Sequence, residues 1–459
     1  MVKTECSEKR FEFATQHPTR QMVAEFSGGT ISSDGGGLLL QETDKKLNLL
    51  RRFSQCFGDA RNPALIEHSV EQMVRQRVYA LAQGYEDLND HDQLRLDPLL
   101  GALVGKAEPG RDLLAGKSTL NRLELGTGTP NRYKKILFWR DSVDELLVNV
   151  FLEAHSTAPA QIVLDIDTTD MALHGQQEDR FFHGYYGHYC YLPLYIVCGR
   201  HVLSARLRPA NVGPAVGSAK EVARIVEQIR RRWPEVHIIL RGDSGFCSNA
   251  LLDWCEQNAV DFVVGVARNQ RLTKLIEVQL AEAKQQFEAP ANPARQAARI
   301  FVEFEHQTLT GTWSQPRRVV AKAEHIDGKP NPRFIVTSLD AEHWPSRALY
   351  EDLYCARGEM ENRIKEQFML FADRVSASTL RANQLRLYFS VIAYTLMQGL
   401  RRLGLHSTSL ATAQMNTIRV ELLKIGALIE VTVRKVWVRL ASCYPRQALF
   451  SQVLRQLRS

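Results

Sequence analysis

Near residue 160 the spacing of hydrophobic positions changes, and the change divides the chain. Upstream, apolar residues recur at three and four in V-E-Q-M-V-R-Q-R-V-Y-A-L-A-Q-G and D-P-L-L-G-A-L-V-G, and S-T-L-N-R-L-E and N-R-Y-K-K-I-L-F-W-R follow. Such spacing predicts helices, so residues 1–155 read as a mainly helical N-terminal domain after an irregular start. From Gln161 short apolar runs replace it. Q-I-V-L-D-I-D-T-T, Y-L-P-L-Y-I-V-C-G and V-L-S-A-R-L-R-P-A-N read as three strands, the last two joined by a tight turn at Gly199. S-A-K-E-V-A-R-I-V-E-Q-I-R-R-R-W is a helix expected to be capped by Ser218 and to stop before Pro234. V-H-I-I-L-R-G-D-S-G-F is a strand, S-N-A-L-L-D-W-C-E-Q-N a helix and D-F-V-V-G-V-A-R a strand. Three strands, helix, strand, helix, strand is the order of a mixed α/β sheet.

After Leu272 the alternation stops. A polar helical stretch leads into A-R-I-F-V-E-F-E-H-Q-T, R-R-V-V-A-K-A-E-H-I and P-R-F-I-V-T-S-L, which predict a β-rich, antiparallel insertion over 273–340. Helix resumes at S-R-A-L-Y-E-D-L-Y and runs into Y-C-A-R-G-E-M-E-N-R-I-K. Leu387 to Leu400 reads as a buried helix, because Ser390, Thr395 and Gln398 interrupt a stretch too short to span a bilayer. The segment from Ile418 to Leu440 is read as two strands around Gly426, with two helices as the alternative. The glycines of F-S-G-G-T-I-S-S-D-G-G-G-L-L-L form a turn-rich lead into a helix. They are not a phosphate loop, since no G-K-[ST] follows them.

A chain of 459 residues exceeds what one core fills, so several units are expected. Net charge is +7, but it is unevenly spread. Residues 401–459 carry ten Lys and Arg against two Glu, a net of +8, and such a region faces a polyanion or simply solubilises the surface. Arg122, Arg132, Lys134, Lys135 and Arg140 in the N-terminal helices suit DNA contact and an ordinary bundle equally. Eight cysteines without a C-x-x-C pair argue for reduced thiols in the cytosol, not a disulfide frame or zinc ribbon. His183, His188 and Cys190 are the nearest thing to a metal cluster. M-V-K-T-E-C-S-E-K-R lacks the apolar core of a signal peptide.

Three carboxylates stand out by position. Asp167 ends the first strand, Asp243 ends the fourth, and Glu361 lies on the helix after the insertion. Ligands of α/β sheets bind outside strand ends, and if strands one and four are neighbours the two aspartates meet there. Carboxylates so placed repel unless a divalent cation lies between them, and hard oxygen ligands suit Mg²⁺. On a helix Tyr354, Arg357, Glu361 and Lys365 share one face, a stripe that could grip a phosphodiester or be a solvated ion-pair face.

L-D-I-D-T-T, L-R-G-D-S-G-F and Y-C-A-R-G-E-M-E-N-R-I-K, in this order with a β-rich insertion before the third, resemble the bacterial insertion-sequence transposases of the DDE type over about 160–400. The resemblance implies a ribonuclease-H-like catalytic domain (156–272 and 341–400) interrupted by the insertion, an N-terminal domain binding DNA ends, and a basic C-terminal region (401–459) for DNA contact or dimerisation. It implies Asp167, Asp243 and Glu361 as catalytic metal ligands for two Mg²⁺ ions, with Mn²⁺ able to substitute. Asp167 fits the motif because a small residue and Thr follow it; Asp165, on the same strand face, is the fallback. Tyr354, Arg357 and Lys365 are implied to bind DNA phosphate. The family's Lys falls at Phe368 here, and Lys365 lies one turn earlier. Trp313 and Trp344 are candidates for stacking on a flipped base, and the run F-F-H-G-Y-Y-G-H-Y-C-Y for touching DNA near the scissile bond, though half of it should be core. The implied reaction is metal-dependent cleavage at an element's terminal inverted repeats and strand transfer into target DNA, by a homodimer in a synaptic complex in the bacterial cytoplasm. The alternatives are a nuclease of the same fold that does not join strands, and a lapsed DNA-binding protein.

Overall fold

The structure, a computed structural model, describes residues 10–459 except 15, 17, 18, 107, 109–112, 290, 293, 295 and 309–311. The N-terminal run through Lys9, including Cys6, therefore lies outside the described residues. The chain falls into two compact units. One comprises residues 1–54, 61–123 and 399–459, the other 55–60 and 124–398.

In the first unit the sequence signals act locally. Ser69 and Gln72 form a reciprocal capping box that starts the helix Val70–Gln83, and Gly84 ends it in the left-handed region at φ 100°. The glycine-rich lead opens the helix Gly37–Leu47. Its turns are tied to the C-terminal segment, since Gly35 N–H donates to the Ile425 carbonyl at 2.8 Å and Lys424 Nζ meets Asp34 Oδ1 at 2.6 Å. Around Gly426 the chain is helical before, over 415–423, and a hairpin of Ala427–Val431 and Val436–Leu440 after. The Val-rich alternation thus sets strands only downstream of the glycine. Ala427 and Leu428 pair with Ser32 and Ile31, so the hairpin is the larger part of a three-stranded sheet.

The second unit is built on a nine-stranded sheet. Its strands are β1 (Gln161–Thr168), β2 (Leu194–Cys198), β3 (His201–Arg206), β4 (His237–Gly242), β5 (Asp261–Val266), β6 (Ala298–His306), β7 (Arg317–Ile326) and β8 (Arg333–Thr337). The order across the sheet is β3-β2-β1-β4-β5-β8-β7-β6, with Lys329–Pro330 added on β7. β1, β4 and β5 run parallel and the remaining pairings are antiparallel. Helices α1 (Arg140–Glu153), α2 (Ser218–Arg232) and α3 (Asn249–Gln257) belong to this unit. The β-rich stretch expected over 273–340 adds its strands to this sheet, because β8 pairs with β5 from Val263↔Thr337 to Val266↔Phe334.

Burial on both sides explains the continuous apolar runs of the parallel strands. Ile238 and Leu240 of β4 turn to a core with Ile225 and Ile229 of α2, whereas Ile239 between them joins Val263, Ile335, Leu349 and Leu353 on the opposite face. Helix α2 is capped by Gly217 at φ 78°, not by Ser218, whose hydroxyl instead donates to the Ala215 carbonyl at 2.7 Å. The turn at Gly199 has φ 57°, as a tight β2–β3 hairpin needs. Beyond the sheet, Leu380–Gly404 is the long helix α5 following α4 (Gly358–Phe368). Its Tyr388 hydroxyl donates to the buried Asp144 of α1 at 2.7 Å. No described helix is long and apolar enough to cross a membrane.

Candidate active site

The sheet's register puts two of the three carboxylates side by side. β1 and β4 are parallel, with Arg241 opposite Asp165 and Gly242 opposite Ile166, so Asp243 leaves β4 level with Asp167. Asp167 is 9 % exposed at the end of β1, where its Oδ1 accepts from the Thr168 N–H at 2.8 Å. Asp243 caps a single 3₁₀ turn, Ser244–Phe246, its Oδ1 accepting from the Gly245 N–H at 2.9 Å.

The third motif arrives on a helix that is not one continuous α-helix. Ser346–Ala348 is α-helical, Leu349–Tyr354 is a π-helix, Cys355–Arg357 is 3₁₀, and only from Gly358 does the α-helix α4 run. Changing the number of residues per turn rotates the side chains relative to a straight α-helix. Tyr354 and Arg357 turn towards the sheet, whereas Glu361 and Lys365 stay exposed, 60 % and 65 % by side chain, with 4.0 Å between their charged atoms. The expected four-residue stripe is thus split into an inner and an outer pair.

A buried ion pair holds this segment to the sheet. Arg241 Nε and Nη2 donate to the two oxygens of Asp165 at 2.5 and 2.8 Å, and Nη1 donates to the Leu353 carbonyl at 2.5 Å inside the π turn. Both oxygens of Asp165 are therefore engaged. Arg241 is the residue that sequence reading passed over. Its signal was an arginine inside the apolar run I-I-L-R-G, two positions before Asp243, as Asp165 lies two before Asp167.

Arg357 is the point of convergence. Its Nη1 lies 3.1 Å from Asp167 Oδ2. Burial alone would weaken its hold on the proton, but the charges of Asp167, Tyr354, Asp243 and Glu361 raise its pKa. Burial pushes the Asp167 carboxyl up to about 6; Arg357 and the Thr168 N–H oppose this, and the neighbouring charges of Asp243 and Glu361 add to it. Side chains from three distant stretches of sequence thus act on one another electrostatically. Tyr354 packs beside them, its phenol pKa raised by burial against the opposing charge of Arg357. Gly265 makes room for that phenol, since a Cβ there would lie 2.7 Å from Tyr354 Oη and 2.8 Å from the Ser244 nitrogen.

Among the described residues no three His, Cys, Asp or Glu side chains stand close enough together to hold an ion. As a donor set, however, Asp167, Asp243 and Glu361 offer hard oxygens, with Arg357 balancing part of their mutual repulsion, which fits a magnesium-type cation. His183 and His188 pair in register across a hairpin, and His188 Nε2 is taken by Asp170 Oδ2 at 2.8 Å. The seven described cysteines are free thiols.

Both candidate tryptophans are packed within the fold. Trp313 is 4 % exposed within the main core, with the Arg317 guanidinium 5.6 Å from its ring centre, so it presents no free face to a base. Trp344 is half-buried against the cluster of Leu349 and Leu353.

One protein family, described as transposase DDE domain group 1, matches residues 14–459. No curated protein matches the chain. A cryo-EM structure of a piggyBac transposase synaptic complex with hairpin DNA aligns with a TM-score of 0.41 at 12 % identity, over 85 % of this chain and 80 % of that one.

Proposed function

The chain belongs to the transposase DDE domain family, group 1, and on that premise we propose that it cuts DNA at the terminal inverted repeats of a bacterial insertion sequence and joins the freed ends to target DNA. The observation that carries this reading is the pairing of Arg357 with Asp167 at 3.1 Å at the strand end where the β1–β4 register puts Asp243 alongside. On this reading the sheet and its helices are a ribonuclease-H-like catalytic domain.

Asp167, Asp243 and Glu361 would hold two Mg²⁺ ions, for which Mn²⁺ could substitute. Such ions, when bound, stabilise the charge that develops on the attacking and leaving oxygens of an in-line phosphoryl displacement. Asp167 must lose its proton before it can act as a ligand. Arg357, freed from Asp167, turns its guanidinium to the two non-bridging oxygens of the scissile phosphate, the bidentate acceptor it suits best. Tyr354, wedged over Gly265, fixes the side of that phosphate facing the sheet. Lys365, on the outer pair, meets the phosphate next along the strand.

In the first step water attacks phosphorus and the P–O3′ bond breaks, so that one fragment of the cut strand ends in a 3′-hydroxyl and the adjoining fragment of the same strand keeps the phosphate on its 5′ end. In the second, that 3′-hydroxyl attacks a target phosphodiester and displaces the target's own 3′-oxygen. Two ends must be held at once, which supports a homodimer on DNA, with the N-terminal helices and the basic C-terminal region as its DNA contacts. Asp165 is left out of the ligand set because Arg241 engages both of its oxygens.

The test is incubation with linear DNA carrying candidate ends, with and without Mg²⁺, scoring cleavage and joining separately. Metal-dependent cleavage and joining that Asp243→Ala abolishes is the expected result. Cleavage without joining would make the protein a nuclease, and cleavage unchanged by Asp243→Ala would remove the catalytic assignment.

A further inference from the structure

We propose that the pocket between the first turns of α1 and α2 is a binding site for a phosphate group, a site that stands whether or not the chain cuts DNA. It encloses about 390 Å³ and is lined by residues that open both helices, Arg140 and Lys220 among them, and by Arg206, Arg208 and Arg224. Leu194, also in its wall, pairs with Thr168, so the pocket lies at the end of the sheet that carries Asp167.

Its donors outnumber its acceptors. Arg206 Nη2 bridges Asp144 Oδ2 at 2.7 Å and Glu221 Oε1 at 2.5 Å, while Glu221 Oε2 accepts from the Ser204 hydroxyl at 3.2 Å and from Arg224 Nη2 at 3.3 Å. Asp144 Oδ1 already takes the Tyr388 hydroxyl, and the exposed Asp141 stands 3.7 Å from Arg140. The carboxylates are thus engaged, yet three buried donors have no acceptor among the described residues: Arg206 Nε, Arg224 Nη1 and Arg208 Nη2. Arg208 is the extreme case. It is 8 % exposed, its Nε donates to the Leu192 carbonyl at 3.0 Å, and its Nη1 donates to those of Pro214 and Val216 at 2.9 and 2.7 Å. These bonds fix the plane of the guanidinium and leave Nη2 as the group it presents to the pocket. Burial, which no carboxylate offsets, pulls its pKa down to about 10.

The helix ends act in the same direction. Neither α1, of 14 residues, nor α2, of 15, has a side chain capping its first turn, and α2 starts from Gly217 at φ 78°. Open N–H groups and the positive end of the helix dipole attract anions. Lys220, on the first turn of α2, is exposed. A buried donor left without an acceptor costs free energy, so an anion that brings several oxygens at once completes the arrangement. A carboxylate has two oxygens in one plane. A phosphate sets its oxygens around one centre and takes guanidinium donors in pairs, which matches donors arriving from three arginines and two helices. Free phosphate, the terminal phosphate of a DNA strand and a backbone phosphodiester share this chemistry, and the experiment separates them.

Inorganic phosphate is titrated into the full chain in EDTA, at constant ionic strength set with sodium chloride, and followed by calorimetry. Binding should saturate at a single site per chain. Arg208→Lys keeps the charge but loses the fork, and should weaken binding about 10- to 150-fold, the range of a hydrogen bond to a charged group. Lys220→Ala, at an exposed position, should weaken it about 2- to 5-fold. Arg357→Ala should leave it unchanged. Binding lost in that last variant would move the ion to the candidate active site and overturn the proposal, as would the absence of saturable binding or an affinity that Arg208→Lys leaves intact. If urea denaturation shows Arg208→Lys unfolded, Lys220→Ala decides in the same way. Competition then names the source. Displacement only by a 5′-phosphorylated oligonucleotide assigns a strand terminus, equal displacement by that strand and its 5′-hydroxyl twin assigns the backbone, and displacement by neither assigns free phosphate; each upholds the site. Because neither metal nor cleavage enters the measurement, failure of the catalytic reading with phosphate binding intact is distinguishable from the reverse.

Discussion

Arg357 Nη1 stands 3.1 Å from Asp167 Oδ2, across 190 positions of sequence. The pair makes divalent-ion binding dependent on pH. Asp167 is protonated below about 6, chiefly because it is buried, and a protonated carboxyl is no ligand. Mg²⁺ or Mn²⁺ affinity, followed by calorimetry, should fall about tenfold per pH unit below that value if one proton is displaced. Arg357→Ala removes the largest influence holding Asp167 down. The fall should then begin at a higher pH than in the wild type, whereas Asp167→Asn should flatten it.

Asp165 and Asp167 should separate in stability. Asp165→Ala leaves the Arg241 guanidinium buried without its carboxylate, a loss on the order of 3–5 kcal/mol, read by urea denaturation in EDTA. Asp167→Asn should do the opposite. The folded-state pKa of Asp167 lies above the ordinary carboxylate value, so protonation favours the fold at low pH and that benefit is lost as pH rises from about 4 to about 6. At pH 8 without metal, the neutral asparagine should therefore raise the urea midpoint. A lower midpoint would mean that the contacts of Asp167 to Arg357 and the Thr168 N–H outweigh the cost of its burial.

How far the sequence could be read follows from the range of each signal. The succession of strands and helices was legible because β1, β4 and β5 are short apolar runs closed by Asp, Gly or Arg, and the connecting α2 and α3 keep helical spacing. The adjacency of Asp167 and Asp243 stayed conditional on strands one and four being neighbours, which the β1–β4 pairing supplies. The Asp165–Arg241 pair was less visible, since it depends on the β1–β4 register. The π turn over Leu349–Tyr354 has no signature in L-Y-E-D-L-Y; it is recognised by what Arg241 does to the Leu353 carbonyl. Ambiguity at Gly426 arose because the hairpin of Ala427–Val431 and Val436–Leu440 completes its sheet through Ile31–Ser32, nearly the whole chain away.

Gly265 tests whether the position of Tyr354 matters. A Cβ at 265 would meet the phenol oxygen at 2.7 Å and the Ser244 nitrogen at 2.8 Å. Backbone cannot yield as a side-chain tip can, so Gly265→Ala should push the phenol away and strain the turn after Asp243. Overpacking of this kind costs about 1–3 kcal/mol. Misplacement of the phosphate by about an ångström should lower the cleavage rate on the order of 100-fold, measured by single-turnover cleavage. A variant that loses stability without losing rate would show that Tyr354 only fills space.

The hairpin of Ala427–Val431 and Val436–Leu440 carries the C-terminal charge into a defined shape. Trp437 lies between Lys435 and Arg439, each 5.3 Å from its ring centre, and is 44 % exposed. Arg439 also reaches Glu430 at 2.9 Å, so part of its charge is satisfied within the hairpin. Arg434 and Lys435, at the exposed tip, are the cations best placed for phosphate. Each contact to duplex DNA contributes about 0.9 to the slope of log affinity against log salt. Arg434→Ala with Lys435→Ala should therefore lower that slope by about 2, and equally for any duplex sequence, because phosphate contacts carry no base information. Filter binding across a salt series reads the slope directly. An unchanged slope would move the DNA contact elsewhere in the chain, with the N-terminal cations Arg132, Lys134 and Lys135 next to be replaced.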